Sequence, residues 1–374
     1  MSATRAEPQT ELRDPIAARA AWPGRIIDAD VHAVVLGLGA LAPYLSAQWR
    51  EFIDERALGD PFGAAVTYPP NLDTTAREDW RPSDGRPAAS DLDLLRRHVL
   101  DPLAADHAIL TCNYGVDSIR HPDFAVALAS AVNDWLAAEW LDRDPRLRGM
   151  IVVPARHPSQ MIAEIRRVAA DRRFVGVLMP ARSDRPYGNR IYHPVLTEIA
   201  DRGLVMSLHW GGSSDGPPSP TGWPEWFVEE HAAEQQVYMA QITSLIGEGV
   251  FQAVPDLRVA VGEIGFAWFP SLMWRLQKEW KGLRRDIPWV TRPPADLLRE
   301  HLRFTIAPTD MPPGAAAADM GEIIGWLGSE DMLMFASDYP HGHDVPVTAL
   351  LDVIPETMRP KLMSETARAL YRLG

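Results

Sequence analysis

From about residue 23 onward, short apolar runs alternate with longer amphipathic stretches. Eight runs stand out: RIIDAD (25–30), HAILTC (107–112), GMIVVP (149–154), FVGVLMP (174–180), GLVMSLH (203–209), LRVAVGE (257–263), LRFTI (302–306) and MLMFASD (332–338). Within each, apolar residues follow one another instead of alternating with polar ones. That is the pattern of a parallel strand covered on both faces. Helix-like segments fall between most of them, at 121–141, 158–170, 190–201, 227–249 and 315–328. Eight β units interleaved with helices predict an α/β fold of the TIM (β/α)8 barrel type. A doubly wound open sheet is the competing arrangement. No G-x-G-x-x-G follows the first run, which removes support from its dinucleotide-binding form.

Residues 1–22 are polar and contain Pro8 and Pro15, so a disordered N-terminal tail is expected there, with residues 23–374 forming a single barrel domain. Two stretches exceed a minimal barrel. Residues 57–90, rich in Pro, Gly and Asp, follow the first run, and WGGSSDGPPSPTGWPEW (210–226) follows the fifth. In a barrel both lie at the C-terminal mouth, where long loops act as lids or binding walls.

The polar residues fall where such a barrel places chemistry. The first run ends Asp30-Val31-His32, and residues two apart on a strand share a face. The fifth ends at His209, the sixth at Glu263 and the eighth at Asp338, inside SDYPHGHD, which adds His341, His343 and Asp344. Strand ends of a barrel converge on the mouth. Neutral imidazole and carboxylate are the ligands of zinc, manganese and iron. Singly, each residue has a plainer reading as a helix cap, a turn residue or a hydrogen-bonded structural histidine. Four strand ends carrying such groups together predict a metal centre.

The remaining candidates are weaker. His231, in EEHAAEQQ, follows the long mouth loop on a helix expected to be solvated on one side. His157 and His193 precede prolines at helix starts and read as caps. His98, His107, His121 and His301 read as structural, and Cys112 as a buried thiol. Trp210, Trp223, Trp226 and Trp268 form either a hydrophobic wall for substrate or part of the core.

Charge and composition narrow the partners. With 37 basic and 50 acidic residues among 374, the net charge is −13. Nucleic acid and anionic membrane both demand basic patches, so neither is expected as a partner. One cysteine precludes an intramolecular disulfide and a Cys-rich zinc site. No signal peptide and no apolar run of about 20 residues is present, so a soluble cytoplasmic protein with a small-molecule substrate is expected. A G-x-S-x-G elbow, a P-loop and an H-E-x-x-H helix are all missing, which leaves serine hydrolysis and nucleotide use without support.

IIDADVH, SLHWGG and FASDYPH, in that order, resemble the amidohydrolase-related barrels, including the aminocarboxymuconate-semialdehyde decarboxylase-like enzymes, over residues 25 to 372. The resemblance implies a mononuclear site whose ligands carry over to Asp30, His32, His209 and Asp338. Two departures stand out. Asp-x-His replaces the more frequent His-x-His or Glu-x-His, and Glu263 stands where the decarboxylases have a catalytic histidine. The second departure counts against decarboxylation. No lysine lies near the end of the fourth strand, so the bridging carboxylated lysine of binuclear amidohydrolases is not available.

EHAAEQQ, GEIGFAWFP, MWRLQKEWKGLRRDIPWV and SDYPHGHD resemble a further branch, the TIM-barrel non-heme diiron monooxygenases. That resemblance implies two iron ions, with Asp30, His32 and His209 near one and Glu263, Asp338 and His341 near the other. His231 and His343 would be catalytic or additional ligands, with Tyr339 and Asp344 behind them. The leading expectation is therefore a monooxygenase hydroxylating a bulky or coenzyme A-linked substrate, with an electron-donor partner. A hydrolase of an amide, ester or lactone with one zinc or manganese ion is the alternative, and an aromatic acid decarboxylase comes third. A homodimer fits the family resemblance.

Overall fold

The computed structural model describes residues 15–60, 75–310, 317–343 and 347–374. Eight parallel strands follow one another in space in chain order: β1 (Ile27–His32), β2 (His107–Thr111), β3 (Leu147–Ile151), β4 (Phe174–Arg182), β5 (Val205–Gly212), β6 (Arg258–Val261), β7 (Leu302–Thr305) and β8 (Leu333–Met334). The segment after β8 closes the ring onto β1. Ala29 N donates to Phe335 O (2.9 Å), His32 N to Tyr339 O (2.9 Å) and Asp338 N to Asp30 O (3.1 Å). The fold is the expected TIM barrel.

All eight apolar runs became strands because each is covered on both sides, with Ile27, Ile109, Ile151, Val177, Leu208, Val261, Phe304 and Leu333 fully buried. The surrounding helices include α1 (Pro15–Ala21), α2 (Ala47–Arg56), α3 (Pro122–Leu136), α4 (Pro158–Val168), α5 (His193–Asp201), α6 (Phe227–Gly247), α7 (Phe269–Leu283), α8 (Pro294–His301) and α9 (Ala317–Trp326). Proline at the first turn of α3, α4 and α5 suits a position with no intrahelical N–H partner.

Local details differ from the sequence reading. Of the stretch expected to be a tail, residues 1–14 lie outside the described residues. Pro15–Ala21 (PIAARAA) forms α1, whose Ala18 packs into the core, because an alanine-rich segment behind proline is a good helix former. His121, not His157, is the capping histidine: its Nδ1 accepts from Phe124 N at 3.3 Å. Much of the expected loop at 57–90 (residues 61–74) also lies outside the described residues, as does Asp344. No helix among the described residues is long and apolar enough to cross a membrane.

Candidate metal centre

β1 alternates its side chains so that Asp28, Asp30 and His32 share one face, and all three are buried. His32 Nε2 lies 2.9 Å from Asp338 Oδ1 and 3.9 Å from Asp30 Oδ1. His209, from β5, places Nε2 2.9 Å from Asp30 Oδ2 and Nδ1 3.5 Å from Glu263 Oε2. His341 Nε2 is 3.8 Å from Glu263 Oε1, and His343 Nε2 is 2.7 Å from Asp338 Oδ2. The rings of His209 and His341 approach that of His32 at centroid distances of 5.4 and 5.0 Å.

Two sets of donor atoms, each within 4.8 Å of one another, result: Asp30, His32 and His209, and His32, Glu263, Asp338 and His341. They share His32. Imidazole nitrogen and carboxylate oxygen at this spacing are a donor set that a divalent cation fits.

The backbone is bent to achieve this. Glu263 and Asp338 both occupy the left-handed region, at φ 57° and 54°. Such a conformation in a residue with a Cβ costs of order 1–3 kcal/mol and persists only where its surroundings enforce it. Glu263 lies two residues past β6, and its N–H donates to Thr305 Oγ1 (3.2 Å). Asp338 lies four residues past β8, with its N–H bonded to Asp30 O. Between β6 and Glu263, Gly262 permits a close approach: a Cβ there would meet His209 Cδ2 at 2.9 Å and Asp30 Oδ2 at 3.3 Å.

The electrostatics are those of a cation site. Burial alone would lower the pKa of His32. The hydrogen bond to Asp338 and the charges of Asp30 and Glu263 outweigh it, and the pKa rises to about 9. Burial is likewise overcome at His209, where the charge and hydrogen bond of Asp30 raise the pKa to about 10. Burial, reinforced by the Asp338 charge, pushes Glu263 up to about 7. For Asp338, burial is overcome by His341 and by hydrogen bonds from His32 and His343, which hold it well below the usual carboxylate range. Three carboxylates thus draw positive charge onto the histidines, the demand that a dication satisfies.

The structure brings Asp30, His32, His209, Glu263, Asp338, His341 and His343 together. His231 stands apart. Its exposed ring stacks on Trp210 (5.2 Å between centroids) and meets Phe227 edge-on (4.3 Å), and it belongs to neither donor set. Tyr339 packs against Trp80 at 5.1 Å, and its hydroxyl makes no hydrogen bond among the described residues. Trp268 is core, Trp210 is half-buried, and Trp223 and Trp226 are exposed.

Sequence reasoning missed the supporting threonines. Thr111, at the end of β2, donates to Asp30 Oδ1 (3.2 Å), Thr305 holds the Glu263 backbone, and Thr75 Oγ1 lies 2.8 Å from His341 Nδ1. For the first two the signal was a polar residue closing an apolar run. Asp28, also missed, accepts from Ser337 N (2.9 Å) and so ties β1 to the segment after β8.

Fold and centre together define a (β/α)8 barrel with a histidine–carboxylate cluster at its C-terminal mouth. The chain belongs to the amidohydrolase family, whose family model matches residues 27–373. A γ-resorcylate decarboxylase of Rhodococcus jostii is 24% identical over 304 residues, covering 76% of this chain and 88% of the relative. Among solved structures, 5-carboxyvanillate decarboxylase of Novosphingobium aromaticivorans with bound manganese aligns at a TM-score of 0.68 and 20% identity, over 93% of this chain and 97% of that one. Dihydroxybenzoic acid decarboxylase of a Polaromonas species, with manganese and the inhibitor 2-nitroresorcinol, aligns at 0.64 and 21%, over 94% and 97%.

These relatives overturn the expected diiron monooxygenase: they are decarboxylases, and the two solved neighbours hold manganese, not iron. The electron-donor partner loses its basis with the monooxygenase. The sequence argument against decarboxylation was the loss of a proton-carrying histidine at position 263. That objection weakens, since in the metal-free chain desolvation and the Asp338 charge raise the Glu263 carboxyl to about 7, where it is half protonated at neutral pH.

Proposed function

We propose that the chain is a metal-dependent, non-oxidative decarboxylase of an aromatic carboxylic acid. The observation that carries this reading is a half-buried glutamate, its pKa raised to about 7 in the metal-free chain, beside a histidine–carboxylate donor set in a barrel whose relatives are aromatic acid decarboxylases. Asp30, His32, His209, Asp338 and His341 would hold a single divalent cation, manganese or zinc. The bound cation supplies Lewis acidity that binds and orients an anionic substrate.

The chain's own residues handle the proton. Decarboxylation breaks the bond between ring carbon and carboxylate, releases carbon dioxide and forms a C–H bond at the same carbon. Glu263 donates that proton and is reprotonated from solvent, its side chain being 15% exposed. Its neighbours keep the donor in place: Thr305 fixes its backbone, and His209 and His341 flank its two oxygens. His343 hydrogen-bonds the outer oxygen of Asp338, leaving the inner one to His32.

The test is anaerobic incubation of the manganese-loaded protein with 2,6-dihydroxybenzoate and 5-carboxyvanillate, following carbon dioxide and the ring product. Release of carbon dioxide in equal amount to the decarboxylated ring, without oxygen, is expected from at least one acid. A manganese-loaded protein inert toward both acids and toward other ortho-hydroxybenzoates would sink the proposal.

A further inference from the structure

One arm of the centre is held from outside the barrel. Residues 75–77 run antiparallel to 340–342: Ala76 bridges His341, Arg77 N donates to Pro340 O (2.9 Å), and Gly342 N donates to Thr75 O (3.0 Å). This short pairing lays Thr75 Oγ1 against His341 Nδ1 at 2.8 Å, while His341 Nε2 points the other way, toward Glu263. Just beyond, buried Trp80 packs on Tyr339 and anchors the segment.

A neutral imidazole has one protonated nitrogen and one lone pair, and the partner of one nitrogen selects the role of the other. Thr75 Oγ1 can accept from an Nδ1–H, with its own hydrogen turned to solvent because Thr75 is exposed. In that arrangement Nε2 faces the donor set as a lone pair. We infer that Thr75 is a positioning residue: it holds the ring orientation of His341 and accepts from Nδ1–H when Nε2 serves as a nitrogen donor to the cation. This rests on the metal-binding part of the proposed function. It gives the segment after β1 a definite task, that of completing the metal centre from outside the strands.

The test is titration of the metal-free full chain with Mn(II), reading the free aquo ion by electron paramagnetic resonance, so that no turnover is needed. Partners behind metal-ligating histidines are typically worth 10–100-fold in affinity, so Thr75→Val is expected to raise the Mn(II) Kd by about tenfold or more. Thr75→Ser keeps the hydroxyl and is expected to stay within about threefold of wild type. In a His341→Ala background, Thr75→Val is expected to add nothing, since the interaction it removes is already gone. Wild-type affinity in Thr75→Val, a loss in Thr75→Ser equal to that in Thr75→Val, or an undiminished effect in the His341→Ala background would each overturn the inference while leaving the metal reading intact. A wild-type chain that takes up no divalent metal overturns both. Melting temperatures of each variant identify a general loss of folding, and Thr75→Ala supplies a second hydroxyl deletion should the valine variant be unstable.

Discussion

At the scale of single residues, the centre depends on side chains held where they would not rest alone. Glu263 is half-buried, sits in a left-handed conformation and, in the metal-free chain, has its pKa raised to about 7. Glu263→Gln preserves shape but cannot give up a proton. It is expected to lower kcat by about 10²–10⁴-fold, the usual weight of general acid–base catalysis, while manganese content per chain stays at the wild-type value. A variant with undiminished kcat would remove Glu263 from the proton role; one that lost its manganese would make it a ligand instead. Gly262 is the complementary case, conspicuous for what it lacks. Gly262→Ala drives a methyl group against the His209 ring at 2.9 Å and the Asp30 carboxylate at 3.3 Å, so one of them must shift. We expect Mn(II) affinity to fall by on the order of tenfold, comparable to loss of a supporting contact, in a barrel that still folds. Titration of Mn(II) into the metal-free variant, alongside its melting temperature, checks this. Neither residue announces its role in sequence. Glu263 was visible as a polar end to an apolar run, but its raised pKa follows from the desolvation and the Asp338 charge that the fold brings to it, which no local pattern contains.

At the scale of elements, α6 shows where sequence reasoning works and where it fails. The helix was legible, but its orientation was not. A segment reading EEHAAEQQ suggested a charged face toward water and a histidine toward the mouth. The structure reverses the first: Glu230, Glu234, Tyr238 and Gln241 share the buried face, while His231 is exposed and stacks on Trp210 outside the donor sets. The cause is Arg182, at the end of β4, whose guanidinium donates to both Glu230 and Glu234 within the interior. A buried charge is tolerable when paired, and the partner lies 48 and 52 residues away along the chain, beyond any periodicity. The same arginine stacks toward Trp210 (5.8 Å), the residue after His209, so the cluster fastens α6 beside the centre. Gly212, at φ 102°, lets β5 pass the Arg182 carbonyl where a Cβ would lie at 2.4 Å. Arg182→Ala leaves two glutamates buried without their counterion and is expected to cost about 3–5 kcal/mol. Urea denaturation measures this, and replacing Glu230 and Glu234 with leucine in the same variant is expected to recover much of the loss. A cost below about 1 kcal/mol, the value of an exposed pair, would mean that the cluster is effectively solvated.

At the scale of the whole molecule, the barrel was readable because eight continuous apolar runs admit few other arrangements, and because its ligands sit at strand ends. The strand ends themselves were less so: β8 pairs through only Leu333 and Met334, and the three residues leading to Asp338 leave the ladder before its left-handed turn. Closing the ring through those residues makes the metal centre part of the seam between β1 and β8, since His32, Asp338 and Asp28 all bond across it. Stability and metal binding should therefore depend on pH through the same groups. In the metal-free chain, His32 and His209 titrate near 9 and 10 against an ordinary 6.5. A raised folded-state pKa contributes stability fully below the unfolded value and loses it as pH rises through the folded one. Glu263 and Asp28, both raised to about 7 from 4.5 and 3.8, act in the same direction at lower pH. Asp338, held below its ordinary range, opposes them only in acid. His98, His107, His231 and His301, lowered by burial, oppose the fall below about pH 6.5, so the melting temperature of the metal-free protein is expected to fall between about pH 7 and pH 10. A cation reverses the balance, because its ligands must shed those protons, and its affinity and stabilisation grow as pH rises. Melting curves with Mn(II) and with EDTA should accordingly diverge between pH 6 and pH 9. Parallel curves across that interval would show that the histidines of the seam do not exchange their protons for metal.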